Sequence, residues 1–137
     1  MVIGIAVMAA NALAGGWGGI AWYQRRPSVT FWYLLRTAQV TVAIQAALGF
    51  ALLADGREPA EGLHIVYGLL PLAVAFFAEA TRAGVAQREL GDLDVHSLAE
   101  ERQHALAMEI VRRETGIMAA SALVIVALAL RAYLLAV

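Results

Sequence analysis

The chain has no cysteine and no lysine, only three prolines, and charged residues fill just 15% of its 137 positions. Each shortage excludes something. Without cysteine there are no disulfides, thiolate metal sites, cysteine nucleophiles or c-type haem attachments, so any redox chemistry must use histidine, methionine or a bound cofactor. A formal net charge of −1 argues against nucleic acid, whose binders need a basic face to displace counterions from phosphates. The G-x-S-x-G, H-E-x-x-H, Walker A and dinucleotide fingerprints are missing, and familiar hydrolytic and nucleotide-dependent mechanisms go with them. The two halves of the chain do not resemble each other, so the pattern of a single-chain inverted-repeat transporter is not there.

What the chain has in excess is apolar surface. Hydrophobic residues make up 61% of it, against about 45–50% in ordinary soluble domains. Four stretches, at roughly 2–23, 31–54, 63–83 and 115–136, each reach the about 20 residues that cross a bilayer core of about 30 Å. Ser121–Leu130 reads SALVIVALAL, with no polar face after its first residue, and a helix apolar all round faces lipid or is deeply buried. The predicted fold is therefore all-α: a polytopic integral membrane four-helix bundle, one domain over 1–137, with a helical connection at 84–114. The opening segment MVIGIAVMAANALAGGWGG lacks the basic n-region of a signal peptide and is read as a retained first span.

The arginines give the orientation. Arg25, Arg26, Arg36, Arg82, Arg88, Arg102, Arg112 and Arg113 all fall on one side of such a bundle, while Arg57 and Arg131 fall on the other, beside Asp55, Glu58 and Glu61. By the positive-inside rule the connections 24–30 and 84–114 are cytoplasmic, and both termini and the 55–62 loop lie outside. The expected setting is a multi-pass position in the cell (inner) membrane, with the lipid bilayer as constant partner and no nucleic acid. Trp22 and Tyr23, then Phe31-Trp32-Tyr33, form aromatic belts at the cytoplasmic interface.

Several local signals refine this outline. Gly15 and Gly19 make a small-xxx-small pair through which a second helix, within the chain or in another copy, comes close. Thr37, Gln39, Thr41 and Gln45 on the second span should face the bundle, because a hydrogen-bonding group in hydrocarbon needs a partner. Pro71 removes one helix bond, frees the carbonyl of Tyr67 and predicts a kink. Ser97 and Glu100 have capping-box spacing, which predicts a helix starting at Leu98 and running unbroken into span four for more than 35 residues. Gly116 is its only weak point, costing about 1 kcal/mol relative to alanine.

Buried charge is the most specific signal. Arg36 lies about five residues inside span two and Glu79 about four inside span three, so antiparallel neighbours bring them level. A charge at the membrane centre costs at least about 2.5–3.5 kcal/mol, and less toward the interface, so opposite charges at one depth should pair. Arg82, one turn from Glu79, and Arg113 and Glu114, entering span four, complete the expected polar cluster. It reads either as a lock between helices or as a cytoplasm-facing substrate or proton site.

The three histidines are too scattered for a metal site, which needs three or four ligands at set spacing; His96 and His104 sit in or near the 84–114 connection and His64 alone near the outer face. The segment Gln45-Ala46-Ala47-Leu48-Gly49, a short loop, then Leu63-His64 and an apolar run resembles a helix pair of haem A synthase and related membrane b-type haem bundles. The resemblance covers about Gln45 to Leu70, and the chain departs from the family in having half its spans and no partner histidine in span two. It implies His64 as an axial ligand of haem b. Met8, in the outer half of span one, would supply His/Met ligation, and Tyr67 lies beside the same site.

Three functional readings follow. The favoured one is a non-catalytic subunit or scaffold of a membrane assembly, associating with a protein partner or as a homo-oligomer through its glycine face and its long last helix. The second is a redox module binding haem or quinone near His64, Tyr67 and Met8. The third is a transporter or proton-pathway component built on Arg36 and Glu79.

Overall fold

The protein's structure, a computed structural model, describes residues 2–56 and 62–135, without the side chains of 62–64 and 135. Four helices run α1 (Val2–Tyr23), α2 (Val29–Ala54), α3 (Gly62–Leu90) and α4 (Glu100–Leu135), with a short 3₁₀ turn, Val95–Ser97, between the last two. All four are long and apolar enough to cross a membrane. Short connections make sequence neighbours antiparallel, and α4 packs against both α1 and α3 while α2 joins α1 to α3. The bundle is thus a closed square with α1 diagonal to α3.

Three layers fill its interior. At the arginine-rich end Phe31, Leu35, Ala78, Met118 and Ala119 form the bulkiest. Midway, Ala14, Ala38 and Ala122 meet, and small side chains there let three backbones approach. Toward the other end Val7, Val42 and Ile125 pack with Val74, Ala75 and Ala129. Large apolar side chains also point outward from every helix, among them Leu13, Ile20, Val40, Phe76, Phe77 and Leu123. These exposed apolar residues are spread over all four helices rather than gathered on one stripe of one helix.

The turn between α1 and α2 is held by features the sequence did not advertise. Arg25 adopts a left-handed φ of 54°, its N–H bonds to Trp22 O and the Arg26 N–H to Ala21 O, which is the Schellman arrangement usually given to glycine. Ser28 then caps α2: its hydroxyl accepts from the Phe31 N–H at 3.1 Å and from Trp17 Nε1 at 2.9 Å, tying α1 to the start of α2. α2 therefore starts at Val29, two residues before the expected span.

Helix α4 is 36 residues long and unbroken, as its lack of interior proline predicts. It starts at Glu100 rather than Leu98, and Ser97 is not its cap. Asp94 has engaged that serine first: the Ser97 hydroxyl donates to Asp94 O at 2.7 Å, while the Asp94 carboxylate accepts from the His96 N–H. Leu98 is left extended, and its carbonyl takes a hydrogen bond from Gln103 Nε2 at 2.9 Å. α3 likewise runs on to Leu90, and Gly91, at φ 49°, closes it. Paired extensions of α3 and α4 therefore continue from the apolar spans.

Gly116 costs helix propensity for a reason visible in the packing. A Cβ there would stand 2.8 Å from Trp22 Cδ1 and Nε1, so the indole lies directly on the α4 backbone, with the Arg112 guanidinium 5.3 Å from its ring centre on the way to the solvent. Gly116→Ala should accordingly lower the thermal unfolding midpoint in detergent, by the equivalent of about 1 kcal/mol of overpacking, despite alanine's better propensity. A variant more stable than the parent would show that Trp22 gives way freely.

Candidate functional site

Arg36 on α2 and Glu79 on α3 meet at the arginine-rich end, with Arg36 Nη1 2.5 Å from Glu79 Oε1. Their register follows from the packing of Leu35 and Ala78, the residues immediately before them, into one layer. Gln39, one turn beyond Arg36 on the same face, accepts from Arg36 Nη1 at 2.6 Å and donates from Nε2 to Glu79 Oε1 at 2.8 Å. The second carboxylate oxygen of Glu79 takes the Arg82 Nε–H at 2.8 Å. Arg82 in turn reaches Glu114 Oε1 on α4 at 3.8 Å and lies 5.6 Å from the centre of the Trp32 ring. Five polar residues on three helices thus form one chain of contacts.

Burial grades along this chain. The Arg36 side chain is 53% exposed, Glu79 and Arg82 about half that, and Glu114 18%. Arg36 therefore reaches from the bundle surface inward to a half-buried carboxylate. Both Glu79 oxygens have donors, so the anion is neutralised in place rather than presented to an open cavity.

Arg113 stands apart from this network. Its guanidinium contacts Glu89 Oε1 on the α3 extension at 2.7 Å and Glu109 Oε1 one turn earlier on α4 at 3.1 Å. The Glu109 hydrogen bond and the Glu89 charge hold its pKa above the ordinary arginine value, so the charge persists at any pH that the fold survives. Together with Arg82–Glu114 this contact straps the two helix extensions together.

The glycines of α1 divide sharply. Gly15 is buried where its Cβ would fall 2.7 Å from Leu123 Cδ2 and 3.3 Å from Ala119 O. Gly18 is the tighter contact, pressed against the Phe31 ring with Ala119 Cβ 2.9 Å from the position of its own missing Cβ. Gly19, by contrast, has nothing within 4 Å. The small face turned to α4 is Gly15 and Gly18, an i, i+3 pair.

The remaining polar groups of α2 behave unequally. Thr37 is exposed and satisfied locally, donating to Tyr33 O at 3.0 Å, so it needs no partner across the bundle. Thr41 does the same toward Ala38 O. Gln45 is half-buried with its Oε1 unpartnered among the described residues. Asn11, in the middle of α1, is the polar residue that sequence reading passed over: it is 2% exposed and donates from Nδ2 to Val7 O at 2.9 Å. Its position between Val7 and Ala14, both core residues, was the available signal.

The His64 side chain lies outside the described residues. Met8 and Tyr67 are half-buried on α1 and α3, the two diagonal helices. Val74 packs against the layer that holds Val7, which sets Met8 near the level of a point about ten residues, or about 15 Å of helix, beyond position 64. Among the described residues no group of three histidine, aspartate or glutamate side chains converges as a metal site.

Comparison with protein-family models, with curated proteins and with solved structures finds no match to this chain.

Proposed function

We propose that the chain is a non-catalytic component of a cell-membrane assembly: a four-span bundle whose charge network locks α2, α3 and α4 together at the cytoplasmic face. The observation that carries this reading is the engagement of both Glu79 oxygens by side chains of the bundle itself: Oε1 accepts from Arg36 and Gln39 and Oε2 from Arg82, so the carboxylate serves as a tie between helices. Above the network, the Ala14/Ala38/Ala122 layer fills the interior with apolar side chains. The second reading, haem or quinone near His64, retains its motive in the Gln45–Leu70 resemblance, and an absorption spectrum of the purified protein would reveal it by a Soret band.

Association would use the helix extensions. The Gly15/Gly18 face is consumed inside the bundle, but Arg102, His104 and Ala107 on the first turns of α4 are exposed. A photocrosslinker attached at Ala107→Cys in native membranes should yield an adduct larger than the chain itself. Recovery of the uncoupled monomer alone, at every crosslinker length, would overturn the assembly reading.

A further inference from the structure

An open groove of about 980 Å³ runs along the outside of the bundle between α1, α3 and α4 at the arginine-rich end. Gly19 and Ala120 keep it hollow, Gly116, Ile117, Ala119 and Leu123 line its apolar wall, and Trp22 and Tyr23 border it on α1. From α3 come Thr81, Val85, Arg88 and Glu89, with Arg113 of α4 beside them. Apolar lining thus reaches to Leu123, while every charged group sits at one end.

We propose that this groove binds an anionic phospholipid, with one acyl chain along the small-residue wall and the phosphate at Arg88. This rests on the reading of the chain as a membrane protein. Three observations fit it. From Arg113 to Leu123 is ten residues of helix, about 15 Å, which is half of a hydrocarbon core of about 30 Å and so the depth of one leaflet. Trp22 and Tyr23 are the amphipathic residues that settle at headgroup level. The charge at the polar end is unbalanced in the right sense: Glu89 is taken up by Arg113 at 2.7 Å, leaving Arg88 without a carboxylate partner among the described residues. Arg88 spends two of its five N–H donors, on Gly84 O and Thr81 O at 3.1 Å each, and these fix its plane while three donors remain. A second copy docked symmetrically in the groove would repeat the same arginines at the same height, and like charges would then face each other.

Gly19 provides the cleanest test, because it lines the groove yet has nothing within 4 Å of a built Cβ. Gly19→Leu should fill the groove without disturbing the fold. The measurement is the thermal shift of the detergent-solubilised protein on adding phosphatidylglycerol, phosphatidylcholine of the same acyl chains, or inorganic phosphate. We expect the largest stabilisation from phosphatidylglycerol, several-fold less from phosphatidylcholine and none from phosphate. Gly19→Leu and Arg88→Gln should each remove most of the phosphatidylglycerol shift, while Arg102→Gln, an exposed arginine outside the groove, should keep it. Equal shifts from both lipids, or equal losses in Arg88→Gln and Arg102→Gln, would reduce the effect to non-specific solvation and overturn the proposal. Lipid-insensitive dimerisation abolished by Gly19→Leu would assign the groove to a second copy instead. Extraction of the protein from membranes by alkaline carbonate, without detergent, would instead defeat the membrane reading itself.

Discussion

Replacing Glu79 by leucine should destabilise the protein by about 2 kcal/mol, and adding Arg36→Leu should cost distinctly less than the sum of the two single losses. Glu79 is the anion between two guanidiniums, so its removal leaves Arg36 with Gln39 as its only hydrogen-bond partner among the described residues, leaves Arg82 with the longer Glu114 contact, and deprives Gln39 of an acceptor. Breaking a buried pair from one side costs about 3–5 kcal/mol, while exposed pairs are worth about 0.2–1 kcal/mol. With Arg36 53% exposed and Glu79 28%, an intermediate figure follows. The coupling read from a double-mutant cycle in detergent or bicelles should be about 1 kcal/mol. Glu79→Gln, which keeps one acceptor, should lose less than Glu79→Leu. Strictly additive losses would mean that the pair contributes nothing and that the helices are held by packing alone.

Gly18→Leu should be the most damaging single substitution in α1, at about 3 kcal/mol. Its Cβ would lie 2.6 Å from Phe31 Cδ2 and 2.9 Å from Ala119 Cβ. Neither neighbour can retreat: Phe31 is fully buried and Ala119 3% exposed, and both belong to the layer that also fixes Leu35 and Met118. Overpacking of this kind costs about 1–3 kcal/mol and forces backbone shifts, and a leucine carries three further carbons into the same space. Gly19→Leu, one residue away and unobstructed, is the control and should be close to neutral in lipid-free detergent. Equal behaviour of the two variants in a thermal unfolding series would contradict the packing described for the α1–α4 seam.

These contrasts show what the sequence could and could not convey. Helix positions were legible because apolar length is a property of each segment alone, and all four helices start within two residues of expectation, α4 at Glu100 against an expected Leu98. The Arg36–Glu79 contact was legible because depth in a bundle can be counted along two antiparallel helices from a common interface. Which glycine makes the close approach was not, since spacing shows that residues share a face without showing which face meets a neighbour. The Gly15/Gly19 pair therefore marked the right turn of α1, and Gly18 makes the tightest contact. Arg113 escaped for a related reason: its partner Glu89 lies on an extension of α3, past the end of the expected span. Ser97 has the spacing of a helix cap, but a nearer carbonyl, that of Asp94, holds its hydroxyl.

Four spans with the arginine-rich end inside the cell are tested most directly by cysteine accessibility, because the native chain has no cysteine. A cysteine at Asp94, exposed in the turn between α3 and α4, should resist a membrane-impermeant maleimide applied to intact cells and react fully once they are permeabilised. A cysteine at Asp55, at the opposite end of the bundle, should react in intact cells. Labelling of the Asp94 position from outside, with the Asp55 position protected, would contradict the orientation; equal labelling of both in intact cells would contradict an odd number of spans between them.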